Sequence, residues 1–171
     1  MDAKVYELLN DQINKEMYSA YLYMSFANYY EEKGLKGFAN WYNIQAREEM
    51  DHALIFRNYL QENSQPVKLE AIAKPDKEFT DFVQPIEAAL EHEKYVTSLI
   101  NGIYAAAQSV NDYRTMNFLS WFIEEQQEEE DNAETQLTRM QLFGNDAKAL
   151  YDLDQENLAR VYSTPSPLAG K

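Results

Sequence analysis

The chain has 171 residues, two histidines and no cysteine, with 29 acidic against 15 basic side chains and a net charge of −14. Such a length allows one domain with a sizeable core, and 45% hydrophobic residues with only 5 Gly and 5 Pro favour long helices over a turn-rich β fold. The acidic excess disfavours nucleic acid and anionic membranes as partners and favours cations, while the lack of cysteine removes disulfides, thiolate metal sites and cysteine nucleophiles.

A first helix is expected over 4–33, stopped by Gly34, and a second from 35 or 36 to 63. Segment 62–82, ENSQPVKLEAIAKPDKEFTDF, has two prolines and no helical rhythm, so it reads as a long connection. A third helix begins near Pro85, a residue suited to a first turn, and reaches about 110. The fourth covers 113–143 and stops at Gly144-Asn145, and a short fifth covers 147–162. STPSPLAGK, 163–171, is expected to be a mobile tail outside a domain of 1–162. The N-terminus has no basic flank with an apolar core and no apolar run is long enough to span a bilayer, so a cytoplasmic location is expected.

Four long helices with one long connection predict an all-α four-helix bundle with a single crossover and a short fifth C-terminal helix. The crossover has to run the length of the bundle to make the second and third helices parallel.

Following each apolar seam at spacings of three and four residues exposes the chemistry. The first seam is Leu9, Ile13, Glu16, Ala20, Tyr23, Ala27, Tyr30, and the second is Phe38, Tyr42, Gln45, Glu49, His52, Phe56, Tyr59. The third is Ile86, Leu90, Glu93, Thr97, Ile100, Tyr104, and the fourth is Leu119, Phe122, Gln126, Glu129, Ala133, Gln136, Met140. Every seam is broken by a carboxylate near mid-helix, so Glu16, Glu49, His52, Glu93 and Glu129 are expected in one layer.

Isolated buried carboxylates would each cost several kcal/mol, and no lysine or arginine stands at these positions to offset them. Two divalent cations would balance four carboxylates. Carboxylate-rich ligands with one imidazole and no thiolate suit iron, manganese or zinc. Glu49 is placed to bridge, with Glu16 and His52 completing one metal and Glu93 and Glu129 the other.

Gln126, one turn before Glu129, could bond a metal-held oxygen species, and Tyr23 is a donor and electron source beside the layer. Gln45 is a further partner for the ligands. Glu48, Glu125 and Glu128 flank the layer and could form a third, weaker cation site. His92 shares no seam with Glu93 and is expected at the surface or at an interface. Taken alone, EExxH on a helix is a weak signal, and the convergence of four seams carries the reading.

These residues resemble a known family. NKEMYSAYLY around Glu16 and Tyr23, REEMDHA around Glu49 and His52, EHEKYVTSLI around Glu93, and NFLSWFIEEQQEEE around Gln126 and Glu129 are similar to the bacterial-type non-haem ferritins, over roughly 4–162. The resemblance implies a ferritin-like fold, a 24-subunit cage storing ferric oxide, and a di-iron ferroxidase centre in each bundle that oxidises Fe(II) with dioxygen or hydrogen peroxide. It places one iron on Glu16, Glu49 and His52 and another on Glu49, Glu93 and Glu129, with Gln126 near and Tyr23 beside. It adds a third iron site on Glu48, Glu125, Glu128 and Glu129, and sets the short fifth helix on a four-fold axis. Haem is not expected. Met50 stands where bacterioferritins carry a haem methionine, but Gln126 and Glu129 replace their second Glu-x-x-His. Two rivals are a rubrerythrin-type oxidase, disfavoured by the absence of cysteine, and a DNA-protecting mini-cage, whose ligands sit between subunits.

Overall fold

The structure is a computed structural model describing residues 1–169. Its helices are α1 (Ala3–Glu32), α2 (Lys36–Glu62), α3 (Gln84–Ser109), α4 (Tyr113–Phe143) and α5 (Ala147–Leu158), and the described residues contain no strand. The first four make the expected bundle. α5 stops four residues short of the sequence expectation, at Leu158, and Gly170 and Lys171 of the expected tail lie outside the described residues.

Aspartates start most of these helices. Asp2, Asp112 and Asp146 each accept a hydrogen bond from a first-turn amide, which satisfies a donor that the helix itself leaves free. Asp81 does the same before α3, accepting from Val83 N at 2.9 Å and Gln84 N at 3.0 Å. α1 ends at Glu32, and Gly34, with a φ of +80°, lets the chain reverse into α2.

α2 has no cap of its own, and the donor is met from the other end of the sequence. Buried Asp154 of α5 accepts from Gly37 N at 2.7 Å and Phe38 N at 3.1 Å. Any side chain at position 37 would put its Cβ 1.6 Å from the Asp154 carbonyl oxygen, so glycine is required for this approach. α5 is thereby fixed against the start of α2.

The crossover follows α1. Asn10 exchanges hydrogen bonds with the Lys68 backbone at 3.0 and 2.9 Å, and Asn14 donates to Ala71 O at 3.2 Å. Val67 packs near one end of the bundle and Phe79, Phe82 and Val83 at the other, as a connection spanning the bundle requires.

The core is in two pieces. One gathers Val5, Leu9, Ile13, Phe56, Leu60, Ile100, Leu119 and Phe122. The other gathers Tyr23, Phe26, Tyr30, Phe38, Tyr42, Ile86 and Met140. Between the two in sequence, on all four long helices, stand the buried polar residues Glu16, Gln45, Glu49, His52, Glu93, Gln126 and Glu129.

The α1 and α2 seams are buried at every position, as the spacing predicts. On α3 the buried stripe is Ile86, Ala89, Glu93, Val96, Ile100 and Ile103, so Leu90, Thr97 and Tyr104 sit at its margin. Both stripes share Ile86, Glu93 and Ile100. The small or branched residues Ala89, Val96 and Ile103 are buried, and the bulkier Leu90 and Tyr104 are only partly so.

Candidate metal centre

Glu16, Glu49 and His52 each offer a ligand atom within 4.8 Å of the others, and all three are buried. α1 supplies the first, and a single turn of α2 supplies the other two at a spacing that puts them on one face. His52 Nδ1 lies 3.4 Å from Glu49 Oε2, and its Nε2 lies 3.7 Å from Glu125 Oε1 on α4. Gln12, one turn before Glu16, donates to Glu16 Oε1 at 2.9 Å.

Four polar atoms of the layer lack a hydrogen-bond partner: Glu16 Oε2, both nitrogens of His52 and, on the side of Glu129, Gln45 Oε1. Leaving such atoms buried without a partner costs free energy, which native structures avoid. A cation accepting electron pairs from Glu16 Oε2 and one nitrogen of His52 removes most of that cost, the other nitrogen keeping its proton. The donor set, two carboxylates and one imidazole, fits a first-row divalent ion.

Glu93 and Glu129, from α3 and α4, complete the layer differently. They join no three-residue group of comparable closeness among the described residues. Each is tied by protein donors: Tyr23 Oη to Glu93 Oε1, Gln126 Nε2 to Glu93 Oε2 at 3.1 Å, and Gln45 Nε2 to Glu129 Oε2 at 2.7 Å. A cavity of about 10 Å³, room for a single water, is lined by Tyr23, Gln45, Glu93, Glu129 and Gln136 among others.

Burial pushes all four carboxyls up. Glu93 is raised to about 7, held from going higher by Tyr23 and Gln126, and Glu129 to about 8, with Glu93 adding repulsion. Glu16 is raised by burial against the pull of His52 and Gln12, and Glu49 well above its usual range by burial and by Glu93. At His52 burial favours the neutral ring, but Glu125, Glu49 and Glu16 outweigh it and push the imidazole well above the ordinary histidine range. Without a metal the layer therefore holds protons, and a cation would displace them. Burial and Glu93 raise the Tyr23 phenol well above its ordinary value, so it stays a hydrogen-bond donor.

The flanking carboxylates are arranged less evenly. Glu48 is half-buried and interacts electrostatically with both Glu125 and Glu129, but its carboxylate already meets Arg160 at 2.7 Å. Glu125 sits beside His52, and Glu128 is exposed. His92 is half-buried at the α3–α1 contact, with Nε2 2.7 Å from Ser19 Oγ, and burial lowers it to about 4. Met50 is exposed and lines an outer groove with Met17, Tyr21 and Met24.

Sequence reasoning passed over Gln12 and Arg160. Gln12 sits one turn before Glu16 on α1, a legible spacing. Arg160 follows the last helix, where no periodicity applies.

A family model of the ferritin-like domain matches residues 6–143. A bacterial non-heme ferritin of Campylobacter jejuni is 36% identical over 155 residues, covering 91% of this chain and 93% of that protein. Another, from Staphylococcus aureus, is 34% identical over 156 residues, covering 91% and 94%. Among solved structures, an open-pore ferritin from the hyperthermophilic archaeon Archaeoglobus fulgidus superposes with a TM-score of 0.92 at 40% identity, covering 94% of this chain and 98% of that one. Matches of this extent run through all four helices that carry the buried layer, and the chain belongs to the ferritin family.

Proposed function

We propose that the protein stores iron, oxidising Fe(II) within each bundle and holding the ferric product inside a cage of 24 subunits. The observation that carries this reading is the buried Glu16–Glu49–His52 group with its orphaned atoms, which interacts electrostatically with the buried carboxyls of Glu93 and Glu129. Iron is substrate here. One ferrous ion is held by Glu16, Glu49 and His52 and a second by Glu49, Glu93 and Glu129, with Glu49 shared and Gln126 near.

Each ferrous ion gives up one electron. Dioxygen takes both, with two protons, and leaves as hydrogen peroxide; with hydrogen peroxide as oxidant, the same two electrons and two protons give two waters. The protons displaced from Glu93 and Glu129 as iron enters are a local supply. Hard anionic oxygen ligands favour the ferric state and so ease its formation. Tyr23, bonded to Glu93, is placed to steady that carboxylate. Glu48, Glu125, Glu128 and Glu129 form a third, weaker cation position through which ferric ions leave the pair.

The cage is supported by the likeness to ferritins and by α5, which is docked on α2 as an element beyond the bundle. Stopped-flow absorbance after mixing Fe(II) with aerated protein tests the reading. The rapid phase should vanish in Glu49→Ala and His52→Ala while the particle size stays that of the wild type. An unchanged rapid phase would overturn the assignment.

A further inference from the structure

We propose that Arg160 is a built-in counter-cation of the third position, so that each subunit binds two metal ions tightly and a third only after this guanidinium is displaced. The inference rests on the reading of the centre given above.

Residues after α5 turn back along α2. Arg160 Nη2 lies 2.7 Å from Glu48 Oε2, and each side chain is 18% exposed. The guanidinium carbon is 4.0 Å from the centre of the Trp41 ring, and Nη1 donates to Trp41 O at 3.3 Å. Its backbone is held too, since Arg160 O accepts from Asn40 Nδ2 at 3.1 Å. Two residues on, Tyr162 donates to Asp51 Oδ2 at 2.5 Å beneath the Arg47 guanidinium, 3.4 Å from its ring centre. Leu168 reaches one of the two core pieces. Residues 160–162 thus lie against the helix that carries Glu48, Glu49 and His52.

The contrast with the inner positions is chemical. There, among the described residues, no lysine or arginine reaches the carboxylates, and Glu16 Oε2 and the nitrogens of His52 are left without a partner. At Glu48 the negative charge is met by a guanidinium, which keeps its charge at any physiological pH. A metal ion approaching Glu48, Glu125 and Glu129 meets an occupied carboxylate and a fixed positive charge. Entry requires Arg160 to swing away from Glu48 and Trp41.

Zinc, redox-inert and suited to the same ligands, is the probe. Isothermal titration of the assembled, metal-free protein at neutral pH should give two tight zinc ions per subunit and a weaker third. Arg160→Gln should tighten the third by up to about fivefold, the scale of a partly exposed ion pair, and leave the first two unchanged. Arg160→Lys, which keeps the charge but loses the fork and the stacking, should fall between. Glu48→Gln should weaken the third in either background. A purely structural tether would lower the melting temperature of Arg160→Gln without moving the third zinc, and that result overturns the proposal. Absence of the two tight zinc ions from wild type would overturn instead the reading of the centre beneath it.

Discussion

The two halves of the buried layer solve the same problem in opposite ways. In the Glu16–Glu49–His52 half, side chains converge and three atoms are left without a partner. In the Glu93–Glu129 half, Tyr23, Gln126 and Gln45 already donate to the carboxyls. The first half leaves three atoms open, whereas in the second the carboxyls are tied by protein donors and only Gln45 Oε1 is open. The lesson is that a site whose metal has to come and go needs both: one half that attracts the ion and one that survives its departure. The first position should fill first.

The largest effect should come from Glu49, the carboxylate both halves share. Glu49→Gln should weaken zinc or Fe(II) binding by about 100-fold or more, beyond the 10–100-fold typical of residues one shell out. A metal affinity within a few-fold of wild type would break the comparison.

Next is pH. Glu93 at about 7 and Glu129 at about 8 in the folded chain, against 4.5 when exposed, bind protons more tightly folded than unfolded. Their contribution to stability is complete below pH 4.5 and is lost as pH rises through about 7 to 8, on the order of a few kcal/mol between them. The raised His52 acts in the same direction. Denaturant titration should therefore find the metal-free protein weakening across that window, while metal affinity climbs as the competing protons leave. Flat stability over the window would contradict the proton-held second half.

Smaller effects separate the halves further. Gln45→Leu leaves Glu129 Oε2 without its donor and should weaken the second metal by about 10-fold or more, with the first little changed. Gln12→Leu should do the reverse through Glu16. Sequential zinc titration resolves which step moves. Glu128→Gln, at an exposed position, should leave both tight steps unmoved and shift only the weak third.

Much of this was legible in sequence because helical periodicity maps one dimension onto another. Glu16, Glu49, His52, Glu93 and Glu129 fall on apolar seams where a charged residue has no packing role, and each stands near mid-helix, so bundle geometry brings them level. Gln45 follows from the same spacing. Periodicity does not show which of them meet a common point, because that depends on helix rotation. The α3 stripe, running through Ala89, Val96 and Ile103, illustrates the uncertainty. Contacts from outside the helices were hidden altogether. Asp154 at the start of α2, and Arg160 on Glu48, join residues more than 110 positions apart. Neither leaves a local pattern to read.

The central claim is that a pair of ferrous ions binds inside the bundle. Crystals grown without metal and soaked anaerobically in Fe(II), with anomalous scattering recorded at the iron edge, test it most directly. The account predicts two peaks in the buried layer, the stronger one bounded by Glu16, Glu49 and His52 and the other by Glu49, Glu93 and Glu129. Iron confined to surface carboxylates such as Glu128, Glu130 or Asp131, with the layer empty, would contradict it.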